Sequence, residues 1–411
     1  LILNTLIRIP IWILFIALII ALIPIGLIPP ETHSIVNRAM VLSVLFIWFF
    51  GVVAGQCRIT WTVSTSLMAA FVMWASVTLL WARNVDTGTT VLLAYTARLL
   101  LFLLIIPSLI KSKTDFDGLM ITLAFSGWVL ILVSIGSGLF EGYTPGSRLK
   151  VFGANANSLG VIALLTLTGV LWQALGPSKQ RLWAKKLMAL MFLIMTTIVV
   201  VLSGSRGSAI SLVIALLAFT LWKPTRAWGK LTLFVVLIIA LSAPLMFETL
   251  LARFEMTLEG TPLGPRGNLW QGGWQLIRES PLLGVGIGNS GFEVQPLLKV
   301  HDPDGIALHN PILVVWSETG VVGLILYLGV LLSAVFSFCR QYQIYRRDGV
   351  QFIIPYFAIV GSVFLAYMAS WIKGGGIEND ISYFLMVALL LIPASLNMGI
   401  PGRPERLKAS P

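Results

Sequence analysis

Cysteine is nearly missing from this chain: Cys57 and Cys339 are the only two, far apart and each beside a basic residue, Arg58 or Arg340. That excludes a disulfide framework and a cysteine-built zinc site. Charge is equally sparse, at 11% of residues against 57% hydrophobic, and the mean hydropathy is +0.92. A soluble core of this size could not bury so much apolar surface, so the composition reads as a polytopic membrane protein. Familiar catalytic signatures are missing too. There is no His-Glu-x-x-His metal site, no Gly-x-Ser-x-Gly elbow, no Walker loop and no paired-Asp nucleotide-sugar motif. ATP and nucleotide sugars are therefore poor candidates as substrates. Only three histidines, His33, His301 and His309, are available for imidazole chemistry.

What the chain does have is apolar runs of about 20 residues, each long enough to cross a bilayer. They fall near 9–28, 35–54, 61–81, 91–110, 118–139, 155–175, 187–203, 207–222, 231–247, 310–338, 352–372 and 381–398. The expected fold is an all-α polytopic protein of about 12 transmembrane helices, with residues 1–411 forming a single membrane domain. The first run lacks a signal-peptidase pattern and reads as a retained anchor. The net charge of +11 is read as the topology signal of cytoplasmic loops, so no nucleic-acid partner is expected. With the N-terminus inside, 17 of the 28 basic residues are cytoplasmic and 10 face out, with Arg98 inside a span. Of the 17 acids, 12 face out and Glu318 is intramembrane. Both termini are then cytoplasmic and the long polar stretch at residues 247–309 faces outward.

That stretch is too rich in polar residues, Gly and Pro to lie in lipid, and it is where chemistry is expected. Leu269 to Ile277 carries Trp270, Trp274 and Ile277 at helical spacing, which predicts an interfacial helix ended by Ser280-Pro281. Arg266 stands at the start of this helix, where a guanidinium, unpaired N–H groups and the helix dipole would all attract an anion; a salt bridge with Glu255 or Glu259 is the other reading. Arg206 lies in the tight outward turn SGSRGS, either bonded to helix-end carbonyls or acting as a bidentate anion clamp. Arg278 reads as a surface charge. GVGIGN, Gly284 to Asn289, has no preceding strand and reads as a turn returning the loop to the membrane rather than as a dinucleotide signal. His309, paired with Asn310 at the mouth of a span, is either a helix-start hydrogen-bonder or a base. Asp302, Asp304 and Asp380 are competing bases. Arg98 and Glu318, both expected about 10 to 14 Å deep at 1.5 Å per residue, are predicted to pair, since intramembrane charges are costly alone. An already activated, lipid-linked diphosphate donor suits outward arginines best.

Arg206 in an outer turn, Arg266 in a large outer loop, then W-x3-W-x6-P-x2-G-x-G-x-G-N from Trp270 to Asn289, and finally His309-Asn310 with Glu318, Gly320 and Gly323, together resemble the bacterial O-antigen ligase and polymerase superfamily. The resemblance rests on the order and topology of these motifs over nearly the whole chain. It implies a GT-C-type membrane glycosyltransferase that needs no metal and no cofactor. Such an enzyme moves a polysaccharide from undecaprenyl diphosphate to a sugar of lipid A-core at the periplasmic face of the bacterial inner membrane, among membrane lipids. On this resemblance His309 would be the general base, and Arg206 and Arg266 would bind the donor diphosphate. Arg148 and Lys150 either hold lipid A-core phosphates or are solvated loop charges. O-antigen polymerase shares the donor and differs in acceptor. A 12-span secondary transporter would instead require matching halves and a mid-membrane site, and no matching halves stand out.

Overall fold

In hydrocarbon every backbone N–H and C=O needs an internal partner, and a helix supplies one for each. The computed structural model describes residues 30–55, 59–140, 149, 156–176, 182–242, 266–303, 305–372 and 381–396, and their regular structure is all helical. The first half contains α1 (Pro30–Val53), α2 (Val63–Thr78), α3 (Val85–Leu109), α4 (Lys113–Phe140) and α5 (Ala156–Leu175). Then come α6 (Leu182–Leu202), α7 (Arg206–Leu221) and α8 (Arg226–Ser242). The polar stretch supplies α9 (Arg266–Glu279) and two short turns of helix, α10 (Ser290–Glu293) and α11 (Gln295–Leu298). The chain then runs through α12 (Pro311–Arg347), α13 (Ile354–Trp371) and α14 (Ile381–Ser395).

Each predicted apolar run from 35–54 onward coincides with a helix, and the run at 9–28 lies outside the described residues. Six stretches among the described residues are long and apolar enough to cross a membrane: Val63–Trp81, Val85–Leu109, Lys113–Gly138, Trp183–Leu202, Pro311–Arg347 and Gln351–Trp371. Four more apolar helices, Leu42–Val53, Leu159–Leu175, Arg206–Leu221 and Ile381–Ser395, are shorter. The protein is a polytopic membrane protein, with six such spans among the described residues.

Helix α12 sets the frame. It is broken at Gly320, whose φ of 66° and ψ of −173° are not helical, and the chain from Pro281 to Gly288 packs into the break. Val285 N–H donates to the Ser317 carbonyl at 2.8 Å and Gly286 N–H to the Glu318 carbonyl at 2.9 Å, while Val321 N–H donates to Pro281 at 3.0 Å. The Trp74 indole N–H caps the Thr319 carbonyl at 2.7 Å. Backbone groups released by the break are thus paired again by the loop, which irregular backbone inside a membrane protein requires. Only glycine fits at 320, because a Cβ there would overlap the Leu282 carbonyl.

Ring packing fixes which helix ends share a face. Trp222, just after α7, meets Tyr342 near the end of α12 at 5.6 Å, edge to face. Helices α7 and α12 therefore run the same way, and their starts, Arg206 and Pro311, lie toward one face. Tyr327 of α12 stacks on Tyr383 of α14 at 4.7 Å and on Trp371 of α13 at 6.4 Å. The hydroxyl of Ser370, also on α13, bonds that of Ser211 on α7. The end of α13 and the start of α14 are thus level with Tyr327, beyond the Gly320 break in α12, and the end of α13 lies beside the first turns of α7.

Candidate active site

His309 is held from both sides in sequence. Leu308 before it is 1% exposed and seats against Gly273 of α9, where an added Cβ would come within 3.2 Å of the leucine. After it, the Asn310 side chain caps α12 by accepting the Ile312 N–H at 3.0 Å and the Leu313 N–H at 3.2 Å. Between these anchors His309 adopts φ 52°, a left-handed conformation that costs an L-residue about 1–2 kcal/mol. Burial of the neighbouring leucine and the cap offset that cost. The cap at α12 is therefore Asn310, and His309 is not needed for it.

Arg266 opens α9, as the sequence predicted, and α9 packs through Leu276 and Ile277. Its apolar face differs from the expected one in one respect. Trp274 is 46% exposed, lying edge to face against Trp316 at 5.6 Å, because Gly272 and Gly273 occupy the buried side and leave room for Val294 and Leu308. Arg278 is exposed in the last turn. The His309 pKa is lowered, first by burial of the imidazole and second by the positive charge of Arg266. A neutral imidazole with a cation nearby is thereby favoured at neutral pH, which suits a proton acceptor beside an anion.

Arg206 opens α7 after a turn built by its serines. Ser203 Oγ donates to the Val200 carbonyl at 2.7 Å, Ser205 N–H donates to Ser203 Oγ at 3.2 Å, and Ser205 caps the helix by accepting the Ser208 N–H at 3.3 Å. Gly204 turns the chain with φ 59°. Both arginines therefore sit at the first residue of a helix, where helix-end N–H groups and the dipole add to the guanidinium charge.

The expected Arg98–Glu318 pair does not form. Glu318 Oε2 accepts the Gly288 N–H at 2.9 Å, and Oε1 accepts the Ser290 hydroxyl at 2.7 Å. Asn289 lies between those residues and accepts the Asn84 N–H at 2.7 Å, so Glu318 stands level with the start of α3. Asn84 caps α3 by accepting the Thr87 N–H at 3.0 Å. The helix therefore begins at Val85, six residues earlier than the apolar run suggested, and Arg98 lies about 20 Å along it. There its guanidinium lies over the Phe384 ring, 5.7 Å from the centroid. The two charges are at different depths.

GVGIGN is neither a phosphate cradle nor a simple turn: it is the segment that fills the α12 break. Gly284 packs on the Glu318 backbone and Gly286 on Ala82, both with positive φ, and the Trp81 indole donates to the Gly284 carbonyl at 3.1 Å. The sequence hint was a glycine two residues after an acid inside a span, with three alternating glycines shortly upstream. Arg148, Lys150, Asp304 and Asp380 lie outside the described residues. Leu149, between the first two, is buried and its N–H donates to the Leu202 carbonyl at 2.9 Å, at the end of α6 that leads to Arg206. Asp302 is tied by its backbone to the Gln295 side chain.

Compared with known families, residues 188–328 match the family model Wzy_C, described as O-antigen ligase. The match runs from α6 into α12 and contains Arg206, Arg266, His309, Asn310 and Glu318. No curated protein matches the chain.

Proposed function

We propose, from the premise that residues 188–328 are an O-antigen ligase domain of the Wzy_C family, that this membrane enzyme transfers O-antigen polysaccharide from undecaprenyl diphosphate to a sugar hydroxyl of lipid A-core. The observation that supports it most is the proximity of Arg266 to a His309 kept neutral by burial and by that charge. Arg206, at the start of the parallel α7, opens toward the same face. The protein sits in the bacterial inner membrane in a GT-C-type arrangement of about 12 crossings, with both termini cytoplasmic and these residues at the periplasmic face.

In the proposed reaction a lipid A-core hydroxyl gives its proton to the His309 imidazole as its oxygen bonds to the anomeric carbon of the polysaccharide. The bond from that carbon to the diphosphate oxygen breaks with the electron pair leaving on the diphosphate. Attack opposite the leaving group inverts the configuration. Arg206 and Arg266 bind the diphosphate and counter the charge it gains, an electrostatic effect largest in the transition state. A positioned base contributes typically about 10²–10⁴-fold. The polyprenyl tail stays in hydrocarbon, so the donor approaches sideways from the bilayer. In this reading Arg148 and Lys150 hold lipid A-core phosphates, and Asp380 is a competing base.

The test is the lipopolysaccharide profile of cells lacking the protein, with an assay for polymer on the carrier. Core without O-antigen, together with long polymer stranded on undecaprenyl diphosphate, is expected. Core capped by single repeat units would make the enzyme a polymerase with the same donor.

A further inference from the structure

A cavity of about 600 Å³ opens between the turn joining α2 to α3 and the chain from α10 to Pro303, and its lining includes Arg83, Asp86, Phe292, Gln295 and His301. This is within the size range of small-ligand sites, about 300–1,000 Å³. We propose that it is a saccharide-binding subsite for one of the two glycans that meet at this enzyme. The proposal rests on the glycosyl-transfer reading above and names a second place where that enzyme holds sugar.

The walls are built in advance of any ligand. Gln295 is buried, and its amide holds the opposite strand of chain from both ends: Nε2 donates to the Asp302 carbonyl at 2.7 Å and Oε1 accepts the Asp302 N–H at 2.9 Å. Ile306 N–H closes the segment onto the Gly291 carbonyl at 3.0 Å. On the other wall, Asn289 fixes the turn by accepting the Asn84 N–H at 2.7 Å and donating to the Asn84 carbonyl at 3.2 Å. Asn289 belongs to the segment that fills the α12 break, so the cavity and the candidate active site share one frame. From His301 to His309 the chain can span at most about 29 Å, a distance that several sugar units cover.

The lining chemistry selects the ligand class. Arg83 is already engaged by Glu293 at 3.6 Å, and Asp86 and Asp302 tip the wall toward negative charge, which disfavours phosphate. Those carboxylates are strong acceptors for hydroxyl donors. Phe292 and the flanking Pro296 and Pro303 offer apolar surface. A sugar presents both kinds of surface at once, hydroxyls on its rim and C–H groups on its faces, and an aromatic ring beside polar groups matches that pattern. This sets the cavity apart from the arginine-marked ends of α7 and α9, which suit an anion.

Two glycans could occupy the cavity, and binding of each to the purified protein in nanodiscs separates them. The probes are core oligosaccharide freed of lipid A, and O-polysaccharide freed of its carrier, titrated by calorimetry. One of them is expected to bind. Asp86→Asn and His301→Ala, both changes to exposed side chains, are expected to raise its Kd about tenfold each, the scale of one lost hydrogen bond to a charged group; Phe292→Ala is expected to raise it further. Absence of binding by both glycans, or wild-type Kd in Asp86→Asn and His301→Ala with normal melting, overturns the proposal. Cavity-dependent glycan binding without transfer to lipid A-core would sustain the subsite and sink the ligase reading. Transfer with cavity-independent binding would do the reverse.

Discussion

Glu318 accepts the Ser290 hydroxyl at 2.7 Å, and through this contact a span and the loop returning to it become one rigid frame. The same carboxylate takes the Gly288 N–H, so removing it strands more than one buried donor. Glu318→Ala is expected to lower stability by about 3 kcal/mol or more, the cost of unmaking hydrogen bonds to a buried charge. Glu318→Gln retains an acceptor oxygen and should cost less. Thermal melting of the two purified variants checks the order; equal melting temperatures for Ala and Gln would count against this role for the charge.

The α12 break makes a sharper prediction. Gly320 has φ 66° and no room for a Cβ beside the Leu282 carbonyl, so Gly320→Ala must either push the loop out or straighten the helix. Loss of folded protein, or of all activity, is expected. Accumulation of a fully active Gly320→Ala protein would show that the loop does not dock there.

Much of this was legible in the sequence, and the reason is hydrophobic length. Apolar runs located the helices from α1 onward, and Trp270 to Ile277 with Ser280-Pro281 located α9. The α12 break was not legible, since Gly320 lies in an otherwise apolar run and its partner backbone, Pro281 to Gly286, comes from 32 to 40 residues upstream. The Arg98 depth was misjudged for a local reason: Val85 to Thr90 is polar but helical, because Asn84 caps it. Matching the two charges by distance from the apolar boundary therefore failed, and the real partners of Glu318 are N–H and hydroxyl groups that no charge count registers. For His309, Arg206 and Arg266 the sequence suggested the chemistry, while the pairing of His309 with the Arg266 charge needed the fold.

The lowered His309 pKa fixes the direction of a pH effect. A base must be deprotonated to act, so the acid limb of the transfer rate should fall below the ordinary histidine value of about 6.5. Arg266→Gln removes a charge that opposes protonation, so the limb should move to higher pH as well as the rate falling. An acid limb in Arg266→Gln at the wild-type pH would mean that the limb does not report His309.

Charge alone should not replace geometry at the donor diphosphate. Arg266→Lys and Arg206→Lys keep the positive charge but lose the planar fork that makes two parallel bonds to phosphate oxygens. Each is expected to reduce transfer about tenfold or more, measured with purified enzyme and carrier-linked donor. Wild-type turnover in both lysine variants would remove the clamp from the mechanism.

The most direct test of the central claim is a reconstituted transfer assay of His309→Ala with carrier-linked donor and lipid A-core. The variant is expected to melt as the wild type does, because Asn310 and not His309 caps α12, and to bind donor, yet to transfer at least about 100-fold more slowly. A folded His309→Ala enzyme that transfers at the wild-type rate would contradict the assignment of His309 as the base.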